Sequence, residues 1–168
     1  MEVWYAHAGT TVVMLTETPE GSSAVPYDLR GWPNFESSVA MLIKPGVDYT
    51  KWPALIDVSL RASKEGKQSR CKRFAPLTPD GMHTLLMEKK FTNGADREVV
   101  VKLYTNVAER CIYPAERLDY DGFGFGDEEM KVLCEWFPKC EVEEELFVNH
   151  NAFTATGWDL LVEVVGWE

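Results

Sequence analysis

The residues LDYDGFGF at positions 118–125 return 28 positions later as LFVNHNAF at 146–153. Apolar side chains at alternate positions predict a short strand at the start of each copy. The match continues at the spacing i, i+3, i+4 and i+7, which predicts an amphipathic helix after each strand. The matched helical residues are Met130, Leu133, Cys134 and Phe137 in the first copy and Trp158, Leu161, Val162 and Val165 in the second. With Asp127 and Thr154 as predicted helix caps, the segment 114–168 is expected to hold two strand–turn–helix units.

The N-terminal third predicts a strand–helix–strand unit. TVVMLT at Thr11–Thr16 is rich in β-branched residues and almost wholly apolar, as in a buried strand of a parallel sheet. After a loop rich in Pro, Gly and Ser, a helix is expected to open at Pro33 and to end at Pro45-Gly46. Its apolar face would carry Phe35, Val39, Leu42 and Ile43. A second short strand is predicted at 55–58, which makes this region one βαβ unit of an α/β protein.

Two helices are predicted between these regions. They follow a basic stretch, RASKEGKQSRCKR at 61–73, which has six basic residues and one acidic residue and is expected to be a loop. The first helix would be capped by Thr78 and run to about Lys90, and the second would open at Asn93. Two adjacent apolar sides of the second helix predict burial on a broad front: Val99, Leu103 and Val107 on one, Val100, Tyr104 and Ala108 on the other.

The composition bounds the class of protein. A chain of 168 residues that is 45% hydrophobic is expected to form one compact unit without disulfides or metal. The net charge of −10 argues against nucleic acid as a partner, and the segment from Glu116 to Glu168 alone has 3 basic and 14 acidic residues. There is no apolar run long enough to span a membrane and no basic start typical of a signal peptide. The four cysteines lack metal-ligand spacing. We therefore expect a soluble, intracellular, cytoplasmic protein with reduced thiols, no metal and no membrane contact.

The repeated unit resembles the ribonuclease-inhibitor-like leucine-rich repeat, whose strand pattern is L-x-x-L-x-L-x-x-N-x-L. The second copy fills four positions of that pattern with Leu146, Val148, Asn151 and Phe153. Glu143 stands at the first leucine position, and Phe123 stands at the asparagine position of the first copy. In the family, the asparagine amide satisfies backbone groups in the turn after the strand. Because two repeats do not form a solenoid alone, the resemblance implies packing on the preceding elements or on another chain.

A second resemblance lies in the N-terminal third. The stretch Tyr27-Asp-Leu-Arg-Gly-Trp-Pro-Asn-Phe-Glu36 is similar to the TIR-domain segment Y-x-x-S-x-W-C-x-x-E, with Arg30 and Pro33 in place of Ser and Cys. Most of the chain, about residues 3–165, is also similar to large algal and protist proteins in which R-G-W-x-x-F-E precedes F-T-N-G-A-D (here 91–96) and then repeats. The resemblances imply three regions packed as one unit. Residues 1–60 would be a partial TIR-like βαβ region without the earlier strands of that fold, 61–113 the basic loop and two-helix connector, and 114–168 two leucine-rich repeats.

The TIR resemblance implies an active site. In TIR enzymes the matching glutamate is the catalytic carboxylate that cleaves the nicotinamide–ribose bond of NAD, which would make Glu36 catalytic. Tyr27 and Trp32 would then contact the base, and Arg30 a phosphate. The same residues also have structural interpretations: a carboxylate in the first turn of a helix is favoured by the helix dipole, and aromatic residues before a helix commonly pack in the core.

Two functions are therefore expected as alternatives. The first is a non-catalytic protein-interaction or scaffold module that uses no cofactor and presents an acidic repeat surface and a basic loop. Its partner would be another protein or a second copy of the chain, bound at an open sheet edge or at the repeat surface. The alternative is a TIR-like NAD glycohydrolase, or another nucleotide-binding enzyme, that uses Glu36.

Overall fold

The structure is a computed structural model that describes residues 2–7, 9–18, 20–44, 55–58, 73–140 and 145–166. Within these ranges it is mixed helix and short strand, in agreement with the predicted α/β class. The elements in chain order are α1 (Glu2–Ala6), β1 (Val12–Met14), α2 (Gly31–Met41), β2 (Leu55–Asp57), α3 (Pro79–Met87), α4 (Asp96–Ile112), β3 (Arg117–Asp119), α5 (Asp127–Trp136), β4 (Glu145–Phe147) and α6 (Ala155–Val165). Single turns of 3-10 helix lie at Tyr27–Leu29 and Phe137–Lys139. The described strands form two parallel pairs, β1 with β2 and β3 with β4.

The first strand pair and α2 form the predicted βαβ unit. Val12 aligns with Leu55 and Met14 with Asp57 in the parallel register. The helix starts at Gly31, two residues before the predicted start, because the extended backbone of Arg30 ends there. Pro33 fits inside the first turn, where a missing N–H leaves no helical hydrogen bond unmade. The predicted stop at Pro45-Gly46 lies outside the described residues.

Helix α1 was not predicted. It has five residues, too few for an apolar period to be detectable in the sequence. It packs against α2 and α4, and Ala6 is buried in the main core. The short segment before β1 thus covers part of the core.

The two middle helices differ from the prediction at their ends. The Thr78 hydroxyl caps α3 by accepting the Gly81 N–H at 3.2 Å, as predicted. The helix stops at Met87, short of Lys90, because the Lys90 N–H donates to the Leu29 carbonyl at 2.8 Å. The predicted cap at Asn93 is wrong: the N-cap of α4 is Ala95, whose N–H donates to the Asn93 side chain in the preceding turn.

Helix α4 buries one continuous stripe and leaves its first turn open. Val99 is about half exposed, so the broad burial predicted for both apolar sides is wrong at this end. The buried residues are Val100, Tyr104, Val107, Ala108 and Ile112. Val100, Tyr104, Ala108 and Ile112 are four residues apart and Val107 lies next to Ala108, so all five lie on one side of the helix.

The second strand pair has the predicted period. Leu118 aligns with Leu146, and the rest of the pair keeps the same offset as the two copies have in the sequence. The helices α5 and α6 begin at positions with the same offset and pack on each other. We call β3 with α5 the first unit and β4 with α6 the second unit.

Asp127 joins the two units. Its own helix has Gly126 as N-cap, with the Gly126 N–H bound to Glu129 Oε2 at 2.9 Å, so the predicted Asp127 cap is wrong. The Asp127 carboxylate instead accepts the Thr154 hydroxyl and the Thr154 N–H, at 2.5 and 2.9 Å. These hydrogen bonds hold the pKa of Asp127 below its usual value. A Cβ on Gly157 would collide with the same carboxylate, so a side chain there would displace Asp127 from its hydrogen bonds to Thr154.

Asn151 satisfies backbone groups of both units. Its Nδ2 donates to the Tyr120 and Val148 carbonyls at 2.8 and 2.9 Å. Its Oδ1 accepts the Phe125 N–H at 3.0 Å. In the first unit Phe123 occupies the equivalent position and packs edge-on against Phe125. The asparagine therefore holds the turn of one unit onto the turn of the other.

One cluster of buried side chains connects the repeat units with the elements before them, from Ala6 and Phe35 to Leu161. Buried aromatic donors hold this cluster together, and two of them, Tyr120 and Trp136, reach from the repeat units to the preceding elements. The Tyr120 hydroxyl donates to Leu42 O at 3.1 Å, the Tyr104 hydroxyl to Leu77 O at 2.7 Å and Trp136 Nε1 to Pro76 O at 2.8 Å. The repeat units thus share a core with the preceding elements.

Candidate functional site

Glu36 lies on α2, in the sixth position of the helix when Gly31 is counted as the first. It is therefore beyond the first turn, and the expectation that the helix dipole explains its presence is wrong. The carboxyl group is half-buried and is hydrogen-bonded to the hydroxyl of Tyr5 on α1. Burial raises the pKa of Glu36, and the Tyr5 hydrogen bond opposes that rise. The Glu36–Tyr5 hydrogen bond thus links α2 to α1.

Trp32 and Tyr27 have structural partners. Trp32 Nε1 donates to Asp96 Oδ2 at 3.2 Å, which ties the start of α2 to the start of α4, while the ring remains partly exposed. The Tyr27 hydroxyl donates to the Pro33 carbonyl at 3.2 Å. Both aromatics thus fix the first turn of α2, and Glu36 takes its hydrogen bond from a different element.

Arg30 is held by its backbone. It forms a parallel bridge with Lys90, and its carbonyl accepts Asn34 Nδ2 at 2.7 Å. Its side-chain Nε is buried and has no hydrogen-bond partner among the described residues. Such a donor could bind an anion, but the backbone contacts alone explain where Arg30 lies.

The segments RGWPNFE (30–36) and FTNGAD (91–96) lie next to each other in the structure. The ring of Phe91, the first residue of FTNGAD, covers the backbone of Gly31 so closely that a Cβ there would overlap the ring. The Gly31 N–H donates to the Lys90 carbonyl at 2.9 Å. Together with the Trp32–Asp96 hydrogen bond, these contacts fasten residues 29–32 to residues 90–96. Both motifs are recognisable in the sequence, but no sequence pattern predicts that they are in contact.

A groove lies beside α2, and the predicted site residues do not line it. Its volume is about 280 Å³, and most of the surface is apolar. The lining residues are Asn34, Ser37, Ser38, Met41, Phe74, Ala75, Pro76, Leu77 and Leu85. Glu36, Tyr27, Arg30 and Trp32 are absent from this lining, so the groove and the predicted catalytic carboxylate are separate features.

The first strand pair has one buried and one exposed face. Met14 and Leu55 point toward α2 and pack on Ala40 and Met41. Val13 and Leu15 alternate with Met14 and are both more than half exposed, as is Val58. The Val58 N–H donates to the Met14 carbonyl at 3.1 Å, which continues the pairing beyond β2. We call Val13, Leu15 and Val58 the outer strand face.

The cysteine thiols within the described residues are free and weakly acidic. Cys111, Cys134 and Cys140 form no disulfide. Burial raises the pKa of each, that of Cys140 to about 11. Because the thiolate is the reactive form, these groups are poor nucleophiles. Cys71 and the rest of the basic stretch before Arg73 lie outside the described residues.

No group of three or more His, Cys, Asp or Glu residues in the described ranges is placed to hold a metal ion. None of the helices described is both long and apolar enough to cross a membrane. Comparison of the chain with protein-family models, with curated proteins and with solved structures returns no match. The TIR and leucine-rich repeat resemblances are therefore carried by the residue patterns alone.

Proposed function

We propose that this chain is a non-catalytic protein-interaction module. The supporting observation is the outer strand face, where Val13, Leu15 and Val58 lie together and exposed on a parallel strand pair. Parallel strands are normally covered on both faces, and a contiguous exposed apolar patch commonly marks a binding surface. The inner face is already covered by α2, so the partner of the outer face is expected to be another protein surface.

The test compares two lysine variants of the full chain. Leu15→Lys places a charge in the outer strand face, and Val99→Lys places the same charge at a similarly exposed valine on α4. Self-association is measured by sedimentation velocity, and partner proteins are identified by mass after retention from an extract of the producing cells. We expect one specific complex that forms with the wild type and Val99→Lys and is lost with Leu15→Lys. Identical behaviour of the three proteins would overturn the proposal.

The second candidate function is cleavage of the nicotinamide–ribose bond of NAD. The observation that favours it is the half-buried Glu36 carboxyl, which accepts a hydrogen bond from Tyr5 that favours its ionised form. An ionised carboxylate stabilises the oxocarbenium character that develops on the ribose as this bond breaks. The test is release of nicotinamide from NAD. If the wild type releases nicotinamide and Glu36→Gln does not, the chain is an enzyme and the proposal of a non-catalytic module is wrong. Under the interaction function both proteins release no more than a blank without protein.

A further inference from the structure

The second repeat unit exposes side chains at positions that the first unit buries. Met130 is 0% exposed, whereas Trp158, its counterpart in the second unit, is 41% exposed. Cys134 is 7% exposed and its counterpart Val162 is 43% exposed. The two units therefore carry apolar side chains at the same positions, but only those of the first unit are buried.

The first unit has neighbours on both sides along the chain. Tyr120 and Trp136 hydrogen-bond to Leu42 and Pro76 in the preceding regions, and β3 and α5 pack on β4 and α6. The second unit has a described neighbour strand only in β3. An apolar strand–helix unit that lacks a second neighbour leaves part of its core surface open.

Backbone N–H groups show the same difference between the two units: they are hydrogen-bonded in the first unit and have no described acceptor in the second. In the first unit the Tyr120 N–H donates to Phe147 O at 2.8 Å and the Gly122 N–H to Asn149 O at 2.9 Å. The Phe125 N–H donates to Asn151 Oδ1 at 3.0 Å. The counterpart donors in the second unit are the N–H groups of Val148, His150 and Phe153, and none of them donates to a described residue. The outer side of the second unit thus offers the same donors that the first unit gives to its neighbour. We call this surface, formed by β4, the turn after it and the Trp158 and Val162 face of α6, the end face.

Charge and burial narrow the choice of occupant. The described residues of the second unit include Glu145, Asp159 and Glu163 but no Lys or Arg. Two copies of the end face would bring like charges together, which is unfavourable. A second copy cannot stack head to tail either, because the corresponding surface of the first unit is already buried at Leu118 and Met130. A different polypeptide with basic residues fits better.

We propose that the end face binds a separate polypeptide that adds a third strand–turn–helix unit. Its strand would pair in parallel with β4 and accept the N–H groups of Val148 and His150, and a side-chain oxygen in its turn would accept the Phe153 N–H. Its helix would cover Trp158 and Val162 and would place basic residues near Asp159 and Glu163. The end face and the outer strand face share no residues, so the proposal for one can be wrong while the proposal for the other is right.

The probe is a peptide with the sequence of residues 141–168 in which Glu143, Glu144, Glu145, Asp159 and Glu163 are replaced by lysine, so that only Glu141 and Glu168 remain acidic and the net charge is positive. Hydrogen exchange of the full chain is measured by NMR with and without the peptide, and also for a chain extended after Glu168 by the same sequence, which raises the effective concentration. We expect the Val148, His150 and Phe153 amides to exchange at least about tenfold more slowly in both cases. The effect should disappear with Val162→Lys in the chain and persist with Val99→Lys and with Leu15→Lys.

Two results would overturn this proposal. One is unchanged exchange at the three amides in the extended chain, compared with a chain extended by a scrambled sequence of the same composition. The other is a dimer of the wild type that Val162→Lys abolishes, because a second copy would then be the occupant. Loss of partner binding by Leu15→Lys concerns only the outer strand face and leaves the end face untouched.

Discussion

The ring of Phe91 lies in the space that a side chain on Gly31 would need. This contact joins the start of α2 to the segment before α4, and the Arg97 guanidinium lies 5.6 Å from the centre of the same ring. The close approach requires glycine at position 31, although its backbone is helical and needs no unusual dihedral angle.

Gly31→Ala should therefore destabilise the chain by about 1–3 kcal/mol, the usual cost of forcing extra atoms into a packed site. Urea unfolding followed by circular dichroism measures the change. Gly94→Ala is the control, since a Cβ there meets nothing within 4 Å. Adding Phe91→Leu to Gly31→Ala should recover part of the loss. Equal stability of the two alanine variants would contradict the role of Phe91.

Asn151→Ala should cost about 3 kcal/mol, because it removes three hydrogen bonds to backbone groups of the two units. Asn149→Ala, at an exposed position in the same turn, should change stability by less than about 0.5 kcal/mol. The urea midpoints of the two variants give the comparison. Asn151→Asp should not rescue the loss, since a carboxylate cannot donate to the Tyr120 and Val148 carbonyls. A stable Asn151→Asp variant would mean that these two hydrogen bonds contribute little.

Tyr5→Phe removes the hydrogen bond that opposes the raised pKa of Glu36. The pKa of the Glu36 carboxyl should then rise further, and the free energy of unfolding at neutral pH should fall by about 1 kcal/mol or less. Carbon-detected NMR titration of the Glu36 side chain measures the first effect. Tyr27→Phe removes a tyrosine hydroxyl from the same helix start and should leave the Glu36 titration unchanged. A lowered Glu36 pKa in Tyr5→Phe would show that the hydroxyl acts in the opposite sense.

Lys44 should make the chain more stable as the pH rises above 8. Its ammonium group is buried and donates to the His7 and Thr10 carbonyls. Burial, with a smaller effect of Arg73, lowers its pKa to about 8. Below pH 8 the folded and unfolded states are both protonated and the cost of burial is present in full. Between pH 8 and the ordinary lysine pKa of about 10.4 the unfolded state binds more protons, so stability rises by at most about 3 kcal/mol.

The measurement is the difference between wild type and Lys44→Met in urea midpoint from pH 7 to 10. The difference is needed because the buried thiols act in the opposite direction. Burial raises the pKa of Cys140 to about 11, so its contribution to stability is lost as the pH rises from the ordinary thiol pKa toward that value. Subtraction leaves the contribution of Lys44, and a flat difference curve would refute the effect of its burial.

The sequence pattern predicted the elements that are long enough to show a regular apolar spacing. The two repeat units, α2 and α4 have apolar residues at regular spacing, and the offset between the two copies in the sequence reappears in the register of Leu118 with Leu146. Helix ends were predicted less well because a competing contact decides them. The tertiary bond from Lys90 to Leu29 accompanies the early end of α3, and Asp127 binds Thr154 instead of its own helix.

The candidate site could be predicted only as a set of residue types. Glu36, Trp32 and Tyr27 lie on or next to α2 as their spacing requires, but their partners come from α1, α4 and the helix itself. Tyr5 and Glu36 lie on different helices with a strand and a loop between them in sequence, and no local pattern marks the pair. The outer strand face was also not predictable, because TVVMLT does not indicate which of its alternating side chains are the exposed ones.

Each residue of β3 aligns with the residue 28 positions later in β4, and this constant offset has an evolutionary consequence. Since the second unit repeats the backbone path of the first at a constant offset, an in-frame gene duplication of one unit would lengthen the stack and leave every existing contact in place. A duplication of any other length would shift the register, so that apolar side chains of the new unit would no longer align with those of its neighbour. Homologous chains are therefore expected to differ in this region by whole units.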